Sequence, residues 1–344
     1  MLNENMPNYL ENLDNVPKKE FEGKNSSLAM NSCVSVIIPT YNRGNRITNA
    51  IDSVLNQTYR NIELIIVDDG STDNTEDIVS MYINKDERVK YIKHEYNKGG
   101  SSARNTGIKH SYGQYVCFLD SDDKWLPSKL ECQLIHLGRK GSDYAAIYCE
   151  AVNNKKALTS VLFEFSRRKL PREGGFELIK SVFLNNVRHT GSTLLIHRDA
   201  ILAMGGFDET FKRHQDREFL ITFLRDQKLA YLDQPLVILD KGERDLSPEV
   251  LIEVKQKFFK KFEREIDYFE MNGVPISLLQ YLELSGFCFK KDNAKLGMQY
   301  FLKSFDYIWN IKKEYLNLVF LSYIITPFSL ITYLKRCVTL KSRN

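Results

Sequence analysis

The 344-residue sequence lacks the features by which several protein classes announce themselves. Its six cysteines, Cys33, Cys117, Cys132, Cys149, Cys288 and Cys337, are scattered with no C-x-x-C pair, which leaves no dithiol redox motif. A disulfide scaffold is excluded at this length, and free thiols in a reducing compartment fit best. No apolar run occurs in MLNENMPNYLENLDNVPKKE, so the N-terminus reads as neither signal peptide nor entry helix, and a cytoplasmic location is expected. An excess of one charge is also missing. The 48 Lys+Arg against 44 Asp+Glu leave a net +4, too little for nucleic acid to be the leading partner.

What is present is an ordinary folded composition, 43% hydrophobic and 27% charged, with aromatics high at 12%. Residues 1–32 are Asn-rich, interrupted by Pro7 and Pro17, and read as a polar leader. Order is expected from Cys33 onward. Val34 to Ile38 form a β-branched run suited to a buried parallel strand. Ile47, Ile51, Val54 and Leu55 then fall on one face of a helix, and Ile62 to Val67 form a second strand ending in Asp68-Asp69. Strand, helix and strand in so short a span make a βαβ unit. A capped helix near Thr72–Tyr82, a strand at Val89–Ile92, a helix around Ala103–Lys109 and a strand at Tyr115–Leu119 continue the alternation. The class expected is α/β, Rossmann-like and doubly wound, with ligands at the carboxyl ends of the strands. Strands at Tyr144–Cys149 and Thr193–His197 and a helix at Asp216–Arg225 follow. From Glu249 the chain reads as helical, with Phe258, Phe262, Ile266 and Phe269 as an apolar stripe.

Three polar clusters close consecutive strands: Thr40-Tyr41-Asn42-Arg43, Asp68-Asp69, and Asp120-Ser121-Asp122-Asp123. A parallel sheet brings such endings to one crevice, where crowded carboxylates repel unless something compensates them. A hard divalent ion, Mn²⁺ or Mg²⁺, is the natural compensation, with ligand phosphates and water completing its shell. The alternative is that each acid caps the helix after it. The glycines of Lys98-Gly99-Gly100-Ser101 do not form a G-x-G-x-x-G after the first strand, which argues against a nicotinamide oxidoreductase.

Taken in order, VSVIIPTYNR, ELIIVDDGSTD, NKGGSSARNTG and VCFLDSDDKWLPSKL resemble family 2 of the nucleotide-sugar glycosyltransferases, strongly over residues 33–135 and more weakly to about residue 240. The resemblance implies a GT-A catalytic domain over 33–245, followed by a helical C-terminal region over 246–344. It also implies metal-dependent transfer of a sugar, with inversion, from a nucleotide diphosphate donor to a glycan hydroxyl in surface-glycan biosynthesis. The donor expected is a UDP-sugar.

On this reading Pro39, Thr40, Tyr41, Arg43, Asp68, Asp69, Arg104, Asp120 and Ser121 bind the nucleotide. Tyr41 stacks on the base, or is simply a rim aromatic. One of Asp68 and Asp69 accepts the imide N–H while the other serves the Gly70-Ser71-Thr72 turn, with the assignment open. Arg104 offers a positive fork to a base or phosphate oxygen, or else forms a buried structural ion pair. Asp120 faces the ribose and Asp122 holds the metal. Asp123 stands behind the metal or, in the favoured reading, caps a helix containing Trp125, Leu126 and Leu130.

A second family signature, an acidic pair opening a helix, matches His214-Gln215-Asp216-Arg217-Glu218 except that Gln215 replaces the first acid. Asp216 is the expected general base, with helix capping as its alternative and Glu218 as the reserve candidate. His189, Gln215, Glu218, Lys241 and Arg244 are placed on the acceptor or diphosphate side. The loop Leu239–Arg244 lacks the His that many relatives use as an extra metal ligand, so Lys241 or Arg244 is expected on the diphosphate. These departures keep a second hypothesis open, a catalytically inactive nucleotide-sugar-binding subunit of a glycan assembly complex. The acceptor is expected against residues 150–215, where Arg167, Arg168, Arg188 and His189 suit an acidic or phosphorylated glycan.

Residues 315–334, YLNLVFLSYIITPFSLITYL, carry no charge and are flanked by Lys312, Lys313, Lys335 and Arg336. The length suits a bilayer crossing, but Ser322, Thr326, Ser329 and Tyr333 make a polar stripe and Pro327 interrupts the middle. Binding of residues 315–344 to the cytoplasmic face of a membrane, where a lipid-linked glycan acceptor would lie, is therefore favoured over a buried helix or a span. The oligomeric state is not legible.

Overall fold

The computed structural model describes residues 31–153, 170–187, 190–240, 247–308 and 311–317, together with 319, 320, 322, 323 and 326. Its first half is the expected alternation: β1 (Val34–Thr40), α1 (Ile47–Leu55), β2 (Ile62–Asp68), α2 (Thr75–Ile83), β3 (Val89–Lys93), α3 (Gly100–His110) and β4 (Tyr115–Phe118). β1 pairs in parallel with β2 and β4, and β2 with β3, so their carboxyl ends share one edge. The expected α/β parallel sheet is borne out over this half. Every residue of β2 is buried, because helices cover both faces and the apolar run needs no alternation.

The second half is mixed rather than uniformly parallel. It comprises β5 (Lys124–Trp125), α4 (Lys129–Lys140), β6 (Tyr144–Asn153), α5 (Ile179–Phe183), β7 (Leu194–His197), α6 (Arg198–Met204), α7 (Gln215–Leu224) and β8 (Lys228–Leu239). The eight strands lie in the order β3-β2-β1-β4-β7-β6-β8-β5, with β7 antiparallel to both β4 and β6. Strand β8, which the pattern did not delimit, contains Pro235 and pairs with β6 through register shifts around Cys149 to Ala151. A proline cannot donate to a ladder, which masks such a strand in sequence.

Two further readings are corrected. Helix α2 starts at Thr75 with no side-chain cap, because Asp73 is occupied by the amides of Gly44 and Thr75. Trp125 belongs to strand β5, and the helix after it begins only at Lys129, so Asp123 is not its cap.

Side chains alternate between two cores. Val36, Ile38, Leu64, Ile66 and Cys117 face one, which α1 and α4 cover. Ile37, Ile65, Val67 and Phe118 face the other, which α5 and α7 cover together with helices α8 (Pro248–Lys261), α9 (Glu263–Met271) and α10 (Ile276–Lys290). The stripe Phe258, Phe262, Ile266 and Phe269 is buried there, bent between α8 and α9. Helix α11 (Ala294–Ser304) packs on α10, and Tyr315 and Val319 from the uncharged segment enter the same core. Among the described residues no helix is long and apolar enough to cross a membrane.

Helix α3 lies on β1 at close range. A β-carbon at Gly107 would meet Ile37 at 3.0 Å or less, so only glycine admits this approach.

Candidate active site

The loops leaving β1 and β2 are stitched together by short polar bonds. Asp69 N–H donates to the Thr40 carbonyl (2.8 Å), Asn42 N–H to Ser71 Oγ (2.8 Å), and Arg43 N–H to Thr75 Oγ1 (3.1 Å). Pro39, Thr40, Tyr41 and Arg43 are thereby held beside Asp68 and Asp69, with the Tyr41 ring 45% exposed at the rim.

The two neighbouring acids do different work. Asp68 Oδ1 accepts from Ser71 N–H (2.7 Å) and Oδ2 from Tyr91 OH (2.6 Å), which makes it the turn acceptor. Asp69 Oδ1 and Oδ2 accept from the amides of Lys98 (2.9 Å) and Gly99 (2.7 Å), and Oδ1 also contacts His94 Nδ1 at 2.7 Å. Asp69 thus pins the loop that enters α3, where Gly99 sits at φ 99°, a conformation that favours glycine. Both carboxylates are buried, so a base N–H would have to share them with these donors.

Across the crevice, β4 runs into a tight turn closed by Asp123 N–H to the Asp120 carbonyl (2.9 Å), with Ser121 buried inside it. The turn brings carboxylate oxygens of Asp120, Asp122 and Asp123 within 4.8 Å of one another. Arg43 Nη2 lies 3.8 Å from Asp122 Oδ2. Asp123 is the deepest of the three. Burial, then the charge of Asp120 and to a smaller extent that of Asp122, push its pKa up to about 7. Ser192 Oγ donates to Asp123 Oδ2 (2.6 Å), and Asp240 N–H to its Oδ1 (3.3 Å). An all-carboxylate set under this like-charge burden fits a hard divalent cation.

Arg104 links the acids to the next element. Its Nη2 donates to Asp120 Oδ1 (2.7 Å) and its Nη1 to Gln215 Oε1 (3.1 Å). Burial opposes its charge, but the Asp120 and Asp216 carboxylates outweigh this and raise its pKa. Gln215 also donates to the Phe211 carbonyl (2.9 Å), so the amide that replaces an acid is a strut between Arg104 and the turn before α7. Asp216 follows it on the first turn, and a β-carbon at Gly191 would lie 3.5 Å from Asp216 Oδ1 and 3.8 Å from Arg104 Nε. The buried Oγ of Thr40, Oγ of Ser101 and Nε of Arg104 have no hydrogen-bond partner in the protein.

Glu218 is not part of this cluster. Two residues after Asp216 it is rotated by about 200° around the helix. It is buried, with its Oε1 bound by Lys261 Nζ (2.6 Å) and Thr222 Oγ1 (2.9 Å). The same Lys261 reaches Asp208 Oδ2 (2.7 Å), so Glu218 fastens α7 to α8. His214 is also structural: its ring lies 6.0 Å from that of Phe258, and burial with the nearby Arg217 and Lys255 lowers its pKa to about 3. His189, Lys241 and Arg244, like Arg167, Arg168 and Arg188, lie outside the described residues. Sequence reasoning missed Ser192, whose small hydroxyl gives no signal until β7 pairs with β4.

Residues 35–203 match Glycosyl transferase family 2. An uncharacterized glycosyltransferase of Haemophilus influenzae is 33% identical over 204 residues, 58% of this chain and 74% of that protein. The chain belongs to glycosyltransferase family 2. The uncharacterized glycosyltransferase RT0329 of Rickettsia typhi is 38% identical over 209 residues, 60% of this chain and 62% of its own length. The chain therefore spans less than two thirds of that relative, and only 20% of a longer Rickettsia felis one. The UDP-Glc:alpha-D-GlcNAc-diphosphoundecaprenol beta-1,3-glucosyltransferase WfgD of Escherichia coli is 42% identical over 121 residues, 35% of this chain and 47% of that one. Among solved structures, S. aureus TarS 1-349 in complex with UDP-GlcNAc superposes with TM-score 0.58 at 20% identity, covering 87% of this chain and 90% of that one. The mannosyltransferase PcManGT of Pyrobaculum calidifontis, in complex with GDP-Man and Mn2+, gives 0.51 at 15% identity, covering 91% and 76%. Both share the GT-A fold with this family 2 chain.

Proposed function

We propose that the protein transfers a sugar from a nucleotide diphosphate, with uridine as the base, to a hydroxyl of a lipid-linked or other growing surface glycan, with inversion at the anomeric carbon. The observation that carries this reading is the triad of Asp120, Asp122 and Asp123, joined through Arg104 and Gln215 to the helix that bears Asp216. Thr40, Tyr41, Arg43, Asp68, Asp69 and Ser121 line the donor side. Asp122, with Asp120 and Asp123 around it, would hold Mn²⁺ or Mg²⁺, which when bound supplies charge for the departing diphosphate. Asp216 takes the proton of the acceptor hydroxyl. The freed oxygen bonds to the anomeric carbon as the bond from that carbon to the diphosphate oxygen breaks, and the nucleoside diphosphate leaves. Arg104 fixes Asp120 and the start of α7 at a set separation, so donor and base meet in register.

WfgD's name supports a lipid-linked acceptor, and TarS's complex supports a uridine diphosphate donor. A peripheral position on the cytoplasmic face of a membrane suits such an acceptor. The exposed Leu316 and Phe320 beside Lys312 and Lys313 are the described part of the surface it would use.

The test is a panel of nucleotide sugars with Mn²⁺, reading donor hydrolysis and transfer. Asp216→Asn should lower transfer by about 10²–10⁴-fold, the usual contribution of a general base. Activity of Asp122→Ala equal to wild type in EDTA refutes the metal assignment. Donor binding without turnover on any acceptor points instead to the binding-subunit reading, which Gln215 in place of an acid keeps in view.

A further inference from the structure

We propose that Ser192 is a positioning residue for the cation site, setting divalent-metal affinity by holding the backbone of Asp120 and the carboxylate of Asp123 with a single hydroxyl. The inference rests on the metal-dependent reading of that site. Ser192 is fully buried in the short turn Gly191–Thr193 that leads into β7. Its Oγ accepts from the backbone N–H of Asp120 (3.1 Å) and donates to Asp123 Oδ2 (2.6 Å). Its carbonyl accepts from the indole Nε1–H of the buried Trp125 (2.8 Å). Both ends of one residue therefore grip the segment from Asp120 to Trp125.

The turn itself is rigid. Thr190 N–H donates to Thr193 Oγ1 (3.1 Å), Thr193 Oγ1 donates back to the Thr190 carbonyl (2.9 Å), and Gln133 Nε2 donates to the Thr193 carbonyl (2.8 Å). The single hydroxyl oxygen accepts from the Asp120 amide while its proton goes to the Asp123 carboxylate, a pairing that an aliphatic side chain of similar size cannot make. With its proton committed to Oδ2 and Asp240 N–H on Oδ1, Asp123 is held in one rotamer and its remaining lone pairs in one direction. Groups behind a metal's direct ligands fix ligand geometry in this way, and their loss usually costs 10–100-fold in metal affinity or activity. Alanine at this position would leave the Asp120 amide and Asp123 Oδ2 each short of a partner. Gly191, one residue earlier, lies near Asp216, since a β-carbon built there would be 3.5 Å from Asp216 Oδ1.

The experiment titrates Mn²⁺ into the full chain with UDP present and reads free Mn²⁺ by electron paramagnetic resonance, with circular dichroism to confirm folding. Ser192→Ala should raise the Mn²⁺ dissociation constant by about 10–100-fold. The pair Ser192→Thr and Ser192→Val separates hydroxyl from shape, and the Thr variant should bind Mn²⁺ at least tenfold tighter than the Val variant, since only Thr keeps the donor. This pair decides the matter if Ser192→Ala does not fold. Equal Mn²⁺ affinity in wild type and Ser192→Ala, or in the Thr and Val variants, overturns the proposal. Absence of Mn²⁺ binding by the wild type overturns the underlying metal reading instead, and with it the role assigned to Ser192.

Discussion

Replacing Asp123 by Asn tests the electrostatics of the acidic cluster without any substrate. Burial and the charges of Asp120 and Asp122 raise the Asp123 pKa from 3.8 to about 7. A carboxyl with a raised folded-state pKa binds its proton more tightly folded than unfolded, so its stabilising contribution is complete below about pH 4 and is lost as pH rises to about 7. At about 1.4 kcal/mol per unit over some three units, the upper bound is about 4 kcal/mol. At roughly 2 °C per kcal/mol for a chain of this size, that is at most about 8 °C in Tm. Asn keeps the shape, points Oδ1 at Asp240 N–H and Nδ2 at Ser192 Oγ, and does not ionise. In EDTA, the wild-type Tm should fall relative to that of Asp123→Asn as pH is raised from 4.5 to 7.5. Mn²⁺ should restore the wild type at pH 7.5, because it binds the ionised form. The assay is thermal unfolding by circular dichroism across that range. Parallel Tm curves for the two proteins would refute the claim that burial and its acidic neighbours raise the pKa of this acid.

Other perturbations address the scaffold. Gly107→Ala drives a β-carbon into Ile37 and should cost about 1–3 kcal/mol in chemical denaturation, as overpacking does; an unchanged midpoint would show that α3 can shift off β1. Lys261→Met leaves the buried Glu218 unpaired and should destabilise by about 3–5 kcal/mol. Adding Glu218→Gln should recover part of that loss, and no recovery in the double variant would mean the pair is not what fastens α8. Truncation after Lys313 removes Tyr315 and Val319 from the core and should lower Tm by several degrees. In liposome flotation, the full-length chain should float with anionic vesicles and the truncated one should not; equal behaviour ends the membrane assignment.

Much of the parallel half was legible in the sequence because its signals are local. Val34 to Ile38 and Ile62 to Val67 are mostly apolar runs bounded by polar turns, the glycines at 99 and 100 mark a helix entry, and acids follow the second and fourth strands, at Asp68-Asp69 and Asp120 to Asp123. Right-handed parallel connection then leaves one edge at which those acids can meet. The rest depended on partners far away in the chain. Asp123 read as a helix cap because its neighbours in sequence suggested one, whereas its actual partner is Ser192, 69 residues on. Nothing local distinguishes Asp68 from Asp69. Tyr91 and Ser71 claim the first, while the Lys98–Gly99 amides and His94 claim the second. Glu218 read as a reserve base until α8 brought Lys261 against it. Sequence determined which residues are apolar, charged or free to turn, since propensity and periodicity are properties of neighbours along the chain. Tertiary structure alone decided which carboxylates share a site, because hydrogen bonds and like-charge repulsion act through space and depend on how β7, α7 and α8 pack.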